Sequence, residues 1–228
     1  MTKKQLAEMI DHTLLKAFAV EEDFRKLCEE SVTSGFKMVA VNSAAVALCK
    51  KLLGTSGVNV GAAISFPLGQ TSIETKVFET ENAIGKGAEE IDYVINIAEL
   101  KNGNYSYIET EMQEIVQVCR KNKIIVKVIF ENCYLTQEEI RKAASIALTV
   151  KPDFIKTSTG FGTSGAKVED VLLMKSIVKK NIKVKASGGI RDWRACEAMI
   201  AAGAERIGTS NGVHILQEFE QEHNFKAL

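Results

Sequence analysis

Ile125-Val126-Lys127-Val128-Ile129, Phe154-Ile155-Lys156-Thr157 and Ile182-Lys183-Val184-Lys185-Ala186 decide how this chain folds. Each is a short, largely apolar run with a lysine inside it, and Lys127, Lys156 and Lys185 follow one another at intervals of 29 residues. That interval is about the length of one strand plus one helix. A lysine inside a buried sheet is costly unless its charge is paired or its pKa falls. Three at equivalent places in successive units aim their amines into one shared interior, and that points to amine chemistry.

Working outward, similar runs give candidate strands at residues 9–12, 36–41, 58–64, 91–95, 124–130, 154–157, 182–186 and 206–209. Most are continuously apolar rather than alternating, as parallel strands covered on both faces should be. Amphipathic stretches separate them. Ile140, Ala143, Ala144, Ala147 and Leu148 form one helical stripe, and Ile108, Met112, Ile115, Val116 and Cys119 form another, followed by Arg120 and Lys121. Thr136-x-x-Glu139 and Thr71-x-x-Glu74 have the form of capping boxes. Only two prolines occur, Pro67 and Pro152, and no Ser/Gly-rich linker interrupts the chain. Residues 1–228 are therefore expected to form one catalytic domain, an α/β single-domain (β/α)8 TIM barrel rather than an open doubly wound sheet. In the first strand Ile10 is flanked by polar residues; without that strand an open sheet would serve.

Composition excludes several classes. The chain has 29 acidic and 29 basic residues, so no net positive charge draws it to nucleic acid, and no basic stripe with interleaved aromatics is present. The N-terminal stretch carries Glu8 early and lacks the apolar core of a signal peptide, and no run approaches a membrane span. A cytoplasmic protein is expected. Five scattered cysteines without a Cys-x-x-Cys pair read as apolar thiols. His12, His214 and His223 form no pair at ligand spacing, so no metal site is expected. No Gly-x-Ser-x-Gly element supports acyl hydrolysis.

In a barrel of this kind active-site groups lie at the C-terminal ends of strands, and phosphate is commonly held after strands seven and eight. Strand seven runs into Ser187-Gly188-Gly189-Ile190-Arg191 and strand eight into Gly208-Thr209-Ser210-Asn211-Gly212. Glycines let backbone N–H groups approach an anion, and a helix N-terminus favours it. One such turn could be merely a tight connection; two in these places point to phosphate. Gly160-Phe161-Gly162-Thr163-Ser164-Gly165 matches a dinucleotide fingerprint, but Lys185 stands where the ribose-binding acid belongs, and Ala166 replaces the lysine of a P-loop. A glycine-rich lid or phosphate-lining turn is expected instead. Asp92, inside the strand Ile91 to Ile95, reads both as a partner for a strand lysine and as a proton shuttle. Glu131, closing the strand of Lys127, could supply that pairing in its place. These residues leave open which of the three lysines attacks.

Together, Ile10-Asp11-His12-Thr13-Leu14-Leu15-Lys16, Phe66-Pro67-Leu68-Gly69, Glu90-Ile91-Asp92-Tyr93-Val94-Ile95-Asn96, Phe154 to Gly160, Val184 to Arg191 and Arg206 to Ser210 resemble the class I deoxyribose-phosphate aldolase family over almost the whole chain. The resemblance implies a reversible cleavage of 2-deoxyribose 5-phosphate to acetaldehyde and glyceraldehyde 3-phosphate, without cofactor or metal. It implies Lys156 as the Schiff-base lysine, Lys185 as the second lysine that depresses its pKa, and Asp92 as a proton-relay acid working through water. It puts the substrate phosphate on Gly188, Gly189, Gly208, Ser210 and Asn211, makes Lys127 a structural lysine paired with acid, and suggests a homodimer. The chain departs from the family at Ala17, Ala40 and Ser43, and its tail, Glu222 to Leu228, lacks the tyrosine that assists proton transfer in some members. Two other readings fit the residues: a phosphate-binding barrel isomerase with Asp92 as base, and a sugar-phosphate sensor without turnover.

Overall fold

The computed structural model describes residues 1–225, so Lys226, Ala227 and Leu228 of the tail noted above lie outside the described residues. Eight parallel strands close into a barrel in sequence order. They are β1 (Ile10–Leu14), β2 (Met38–Asn42), β3 (Asn59–Ile64), β4 (Glu90–Val94), β5 (Ile125–Ile129), β6 (Phe154–Lys156), β7 (Lys183–Ser187) and β8 (Arg206–Thr209). Around them run α1 (Lys3–Ala7), α2 (Glu21–Ser34), α3 (Val46–Leu53), α4 (Ile73–Gly85), α5 (Ile97–Lys101), α6 (Tyr105–Lys121), α7 (Gln137–Val150), α8 (Val168–Val178), α9 (Trp193–Ala201) and α10 (Gly212–Phe225). The barrel expected from the sequence is the one formed. The short helices α1 and α5 lie outside the simple strand-helix alternation read from the sequence.

Alternation along each strand divides the molecule. Val39, Val60, Ile91, Tyr93, Val128, Ile155, Val184 and Ile207 join the apolar core beneath the helices. The residues between them face the lumen, because register partners in a sheet share a face. Asp92 pairs in register with Lys127, Lys156 with Lys185, and Lys185 with Arg206. The polar flanks of Ile10 are explained here: Asp11 turns into the lumen, while His12 is buried and meets Glu30 of α2 at 2.8 Å.

The helices follow their stripes. Ile108, Met112, Ile115, Val116 and Cys119 of α6 are buried, as are Ile140, Ala143, Ala144 and Ala147 of α7. The capping box of α7 is formed, with Thr136 and Glu139 each accepting the other's backbone N–H. The cap of α4 sits one residue later than its sequence pattern suggests. Thr71 is engaged with the Ser65 hydroxyl at 2.6 Å, and Ser72 accepts the N–H of Thr75 instead.

Candidate active site

The three strand lysines meet at one carboxylate. Asp92 Oδ1 accepts from Lys127 Nζ at 2.9 Å, and its Oδ2 accepts from Lys156 at 2.8 Å and from Lys185 at 2.7 Å. Their positions in β4 to β7 make this convergence a consequence of strand order and register. Lys185 also pairs with Asp11 at 2.5 Å. Deeper in the lumen Lys127 donates to Glu90, and Arg206 bridges Glu90 and Asp11, with Nε 2.8 Å from Asp11 Oδ1. Asp11, Glu90 and Arg206 complete a network whose role the sequence reading missed. The available signal was the spacing of two: Glu90 precedes Asp92 by two positions, and so shares its face.

Three lumen carboxylates (Asp11, Glu90, Asp92) thus face four cationic side chains (Lys127, Lys156, Lys185, Arg206), leaving one positive charge without its own acid. Burial pushes the Lys156 ammonium down against the attraction of Asp92, and neighbouring Lys185 lowers it further, bringing its pKa to about 8. Burial would lower Lys127 too, but the carboxylates of Asp92 and Glu90 outweigh it and hold Lys127 above the ordinary lysine range. Burial opposes the charge on Asp92, yet the three lysines keep it well below the usual carboxylate range. Lys156 is 4% exposed, whereas Lys127 and Lys185 are 0% exposed.

That small exposure faces a cavity of about 620 Å³ at the C-terminal mouth of the barrel, lined by Lys156 and not by Lys127 or Lys185. Gly188, Gly189, Gly208 and Ser210 share its wall. Gly188 and Gly189 have φ of 87° and 76°, left-handed values that favour glycine and let this turn present its backbone. Gly208 has a second use, since a Cβ there would lie 3.1 Å from Lys185 Cε. Asn211 is not part of the wall; its Oδ1 accepts from the Ser210 hydroxyl at 3.1 Å and its N–H donates to Thr209 Oγ1. Of the two helix N-termini expected to assist an anion, that of α9 is already engaged, by Asp192 on the N–H of Ala195 and Glu218 on that of Trp193. The start of α10 directly follows Ser210 and Asn211. Lys16 and Arg191, to which the sequence reading gave no role, add cationic side chains to the same cavity.

Glu131 does not pair with Lys127. It lies at the end of β5 with φ 57°, and its carboxylate turns to Thr159, accepting the backbone N–H at 3.2 Å and also the hydroxyl. The segment 160–165 lies over the site rather than around a nucleotide: Ala166 N–H donates to Ser187 and Gly188 carbonyls at 3.1 and 3.0 Å, and a Cβ on Gly165 would strike the Gly188 carbonyl. The histidines stay apart, His214 meeting Glu218 at 3.0 Å and His223 the Phe219 carbonyl at 2.8 Å. The five cysteines are free thiols, and all but the half-buried Cys133 are buried. Among the described residues no helix is long and apolar enough to cross a membrane.

Known proteins share both pattern and fold. A family model described as DeoC/LacD family aldolase matches residues 6–218. A deoxyribose-phosphate aldolase of Lactobacillus acidophilus is 58% identical over 95% of this chain and 91% of its own. The solved structure of QR15, an aldolase, superposes with a TM-score of 0.91 at 40% identity, covering 96% of this chain and 98% of that one. A deoxyribose phosphate aldolase from Aeropyrum pernix, described as tetrameric, gives a TM-score of 0.91 at 32% identity, covering 97% and 93%.

Proposed function

Since the chain belongs to the DeoC/LacD family of aldolases, we propose that it cleaves 2-deoxyribose 5-phosphate reversibly to acetaldehyde and glyceraldehyde 3-phosphate through a Schiff base on Lys156. One observation carries this reading: of three lysines touching Asp92, Lys156 alone lines the cavity, and its pKa is brought to about 8. At pH 7 roughly a tenth of such an amine is neutral, against well under about one in a thousand for an ordinary lysine. Amine catalysis requires that lone pair.

In cleavage, Lys156 Nζ attacks the aldehyde carbon of the open-chain sugar phosphate, and loss of one water leaves an iminium. The C3 hydroxyl then gives up its proton and the C2–C3 bond breaks, its electrons passing to the iminium nitrogen. Glyceraldehyde 3-phosphate departs, leaving the enamine of acetaldehyde; protonation at C2 and hydrolysis release acetaldehyde and restore the amine. Asp92 starts each turnover as a carboxylate, so it orients the amine and accepts a proton before passing one on through water. The ammonium of Lys185 keeps Lys156 from holding its own proton tightly. Gly188, Gly189, Gly208 and Ser210 hold the phosphate, with Asn211 positioning the Ser210 hydroxyl.

On this reading residues 1–228 act as one catalytic domain in the cytoplasmic breakdown of deoxyribose phosphates, with the lysine supplying the activation and no cofactor called for. The partners are the small sugar phosphate and aldehyde, and the assembly is a homodimer, which light scattering can check. Borohydride reduction in the presence of acetaldehyde tests the mechanism. Mass spectrometry should find the reduced two-carbon adduct on Lys156. Turnover of deoxyribose 5-phosphate without any adduct would overturn the Schiff base, and an unlabelled protein that only interconverts sugar phosphates would be an isomerase with Asp92 as base.

A further inference from the structure

Glu131 forms no ion pair with the lysine cluster and feels Lys156 only at longer range, yet its arrangement serves no obvious need of the barrel. Its side chain is 1% exposed, and its backbone adopts the left-handed region without being glycine. Both carboxylate oxygens lie 3.2 Å from the N–H of Thr159, and one also accepts the Thr159 hydroxyl. Thr159 Oγ1 in turn accepts the N–H of Phe161 at 3.0 Å. The relay therefore runs from the end of β5 into the turn that follows Lys156. Thr159, Gly160 and Phe161 of that turn form cavity wall. A Cβ on Gly162 would lie 2.5 Å from Cys133 Sγ and 3.2 Å from Glu131 Oε1, so the turn is packed against this support. At its far end the segment is tied to Ser187 and Gly188 through the N–H of Ala166.

We propose that Glu131 is a positioning residue for substrate: through Thr159 it sets the wall against which the part of the sugar phosphate beyond its first two carbons rests. This deepens the aldolase reading and relies on Lys156 as the condensing amine. Acetaldehyde needs only that amine, whereas the five-carbon substrate must also meet the turn. Removing the clamp should therefore separate the two.

The test compares wild type, Glu131→Gln, Thr159→Val, their double variant and Thr159→Ser. The wild type must first give the acetaldehyde adduct on Lys156; its absence defeats the aldolase reading itself. Given that adduct, Glu131→Gln should raise KM for deoxyribose 5-phosphate about tenfold, the size of one charge-assisted hydrogen bond. The rate and pH midpoint of acetaldehyde trapping, measured per folded molecule, should stay at wild-type values. Thr159→Val should raise KM similarly, the double variant should be no worse than either alone, and Thr159→Ser should restore binding. An unchanged KM in Glu131→Gln, additive effects in the double variant, or a shifted trapping midpoint would each overturn the proposal. The last would make Glu131 part of the amine's electrostatics rather than of the wall. Should Glu131→Gln fail to fold, the Thr159→Val and Thr159→Ser pair decides by the same KM readout.

Discussion

Lys127 and Lys156 touch the same carboxylate, one through Oδ1 and the other through Oδ2, yet Lys127 is held above the ordinary lysine range and Lys156 falls to about 8. Both are buried, so desolvation does not separate them. The difference is the number of acids within reach. Lys127 is ion-paired to Glu90 as well as Asp92, whereas Lys156 is ion-paired to Asp92 alone, already shared with Lys127 and Lys185, and feels Glu131 only at longer range. The deeper half of the lumen is charge-matched, Lys127 and Arg206 against Glu90 and Asp11, whereas the half at the mouth is left one carboxylate short. Of these two lysines, the one that gives up its proton more readily is the one that lines the cavity.

The largest test of that contrast is Lys156→Ala. Cleavage should fall by at least about 10⁴-fold, as when a covalent nucleophile is removed, while circular dichroism stays that of the wild type. The acetaldehyde adduct should disappear with it. Labelling that moved to Lys127 or Lys185 would show that depth does not choose the nucleophile.

Glu90→Gln attacks the deeper half. It takes a charged partner from both Lys127 and Arg206, and an uncompensated buried charge costs about 3–5 kcal/mol. Urea unfolding should report a loss of that order. A variant as stable as the wild type would mean that the lower network is not charge-matched as described.

How much of this contrast could be read without coordinates follows from its parts. Apolar runs marked most of the eight strands, because strands covered on both faces are largely apolar whatever their order. Regular spacing of Lys127, Lys156 and Lys185 carried three members of the site, and Asp92 stood out inside its strand. The remaining members depend on closure. Arg206 and Asp11 lie 195 positions apart, and only the pairing of β8 with β1 brings them together. Asp11 even disguised its strand by making it look polar. Glu131 was visible as an acid at a strand end, but its left-handed backbone, which turns it from Lys127 to Thr159, has no sequence signature in a glutamate. The turns after β7 and β8 read as anion sites, and their Gly188, Gly189, Gly208 and Ser210 do line the cavity; that α9 begins already capped was not legible, because Glu218 comes from another helix.

Lys185→Leu sharpens the contrast at the mouth. Removing the neighbouring cation makes the Lys156 ammonium easier to keep, so its pKa rises above about 8. In the wild type, activity should climb as pH rises through about 8, where the amine loses its proton. In the variant that limb should move upward by about one unit, equivalent to roughly 1.4 kcal/mol, with a matching loss of about tenfold at neutral pH. An unmoved limb would mean that Lys185 does not set the nucleophile's charge.

The smallest effect on catalysis is expected from a buried pair outside the lumen. Lys76 of α4 and Glu111 of α6 are 2.5 Å apart and fully buried. Burial pushes Lys76 down and Glu111 up, each against the pull of its partner. The pair also finishes the end of β4, since Lys76 donates to the Val94 carbonyl at 2.8 Å and Glu111 accepts the N–H of Asn96 at 3.1 Å. Here one acid meets one base, with no surplus charge and no cavity, so burial alone should produce no chemistry. Replacing both by Met and Leu removes the ion pair together with its desolvation penalty, and such exchanges are often close to neutral. Two backbone groups would lose partners, at about 1–3 kcal/mol each where they stay unsatisfied. Stability should fall by no more than the two together, and the pH–rate profile should stay in place. If the profile moved, the end of β4 would be transmitting strain to Asp92, and the separation between a structural pair and the catalytic mouth would have to be redrawn.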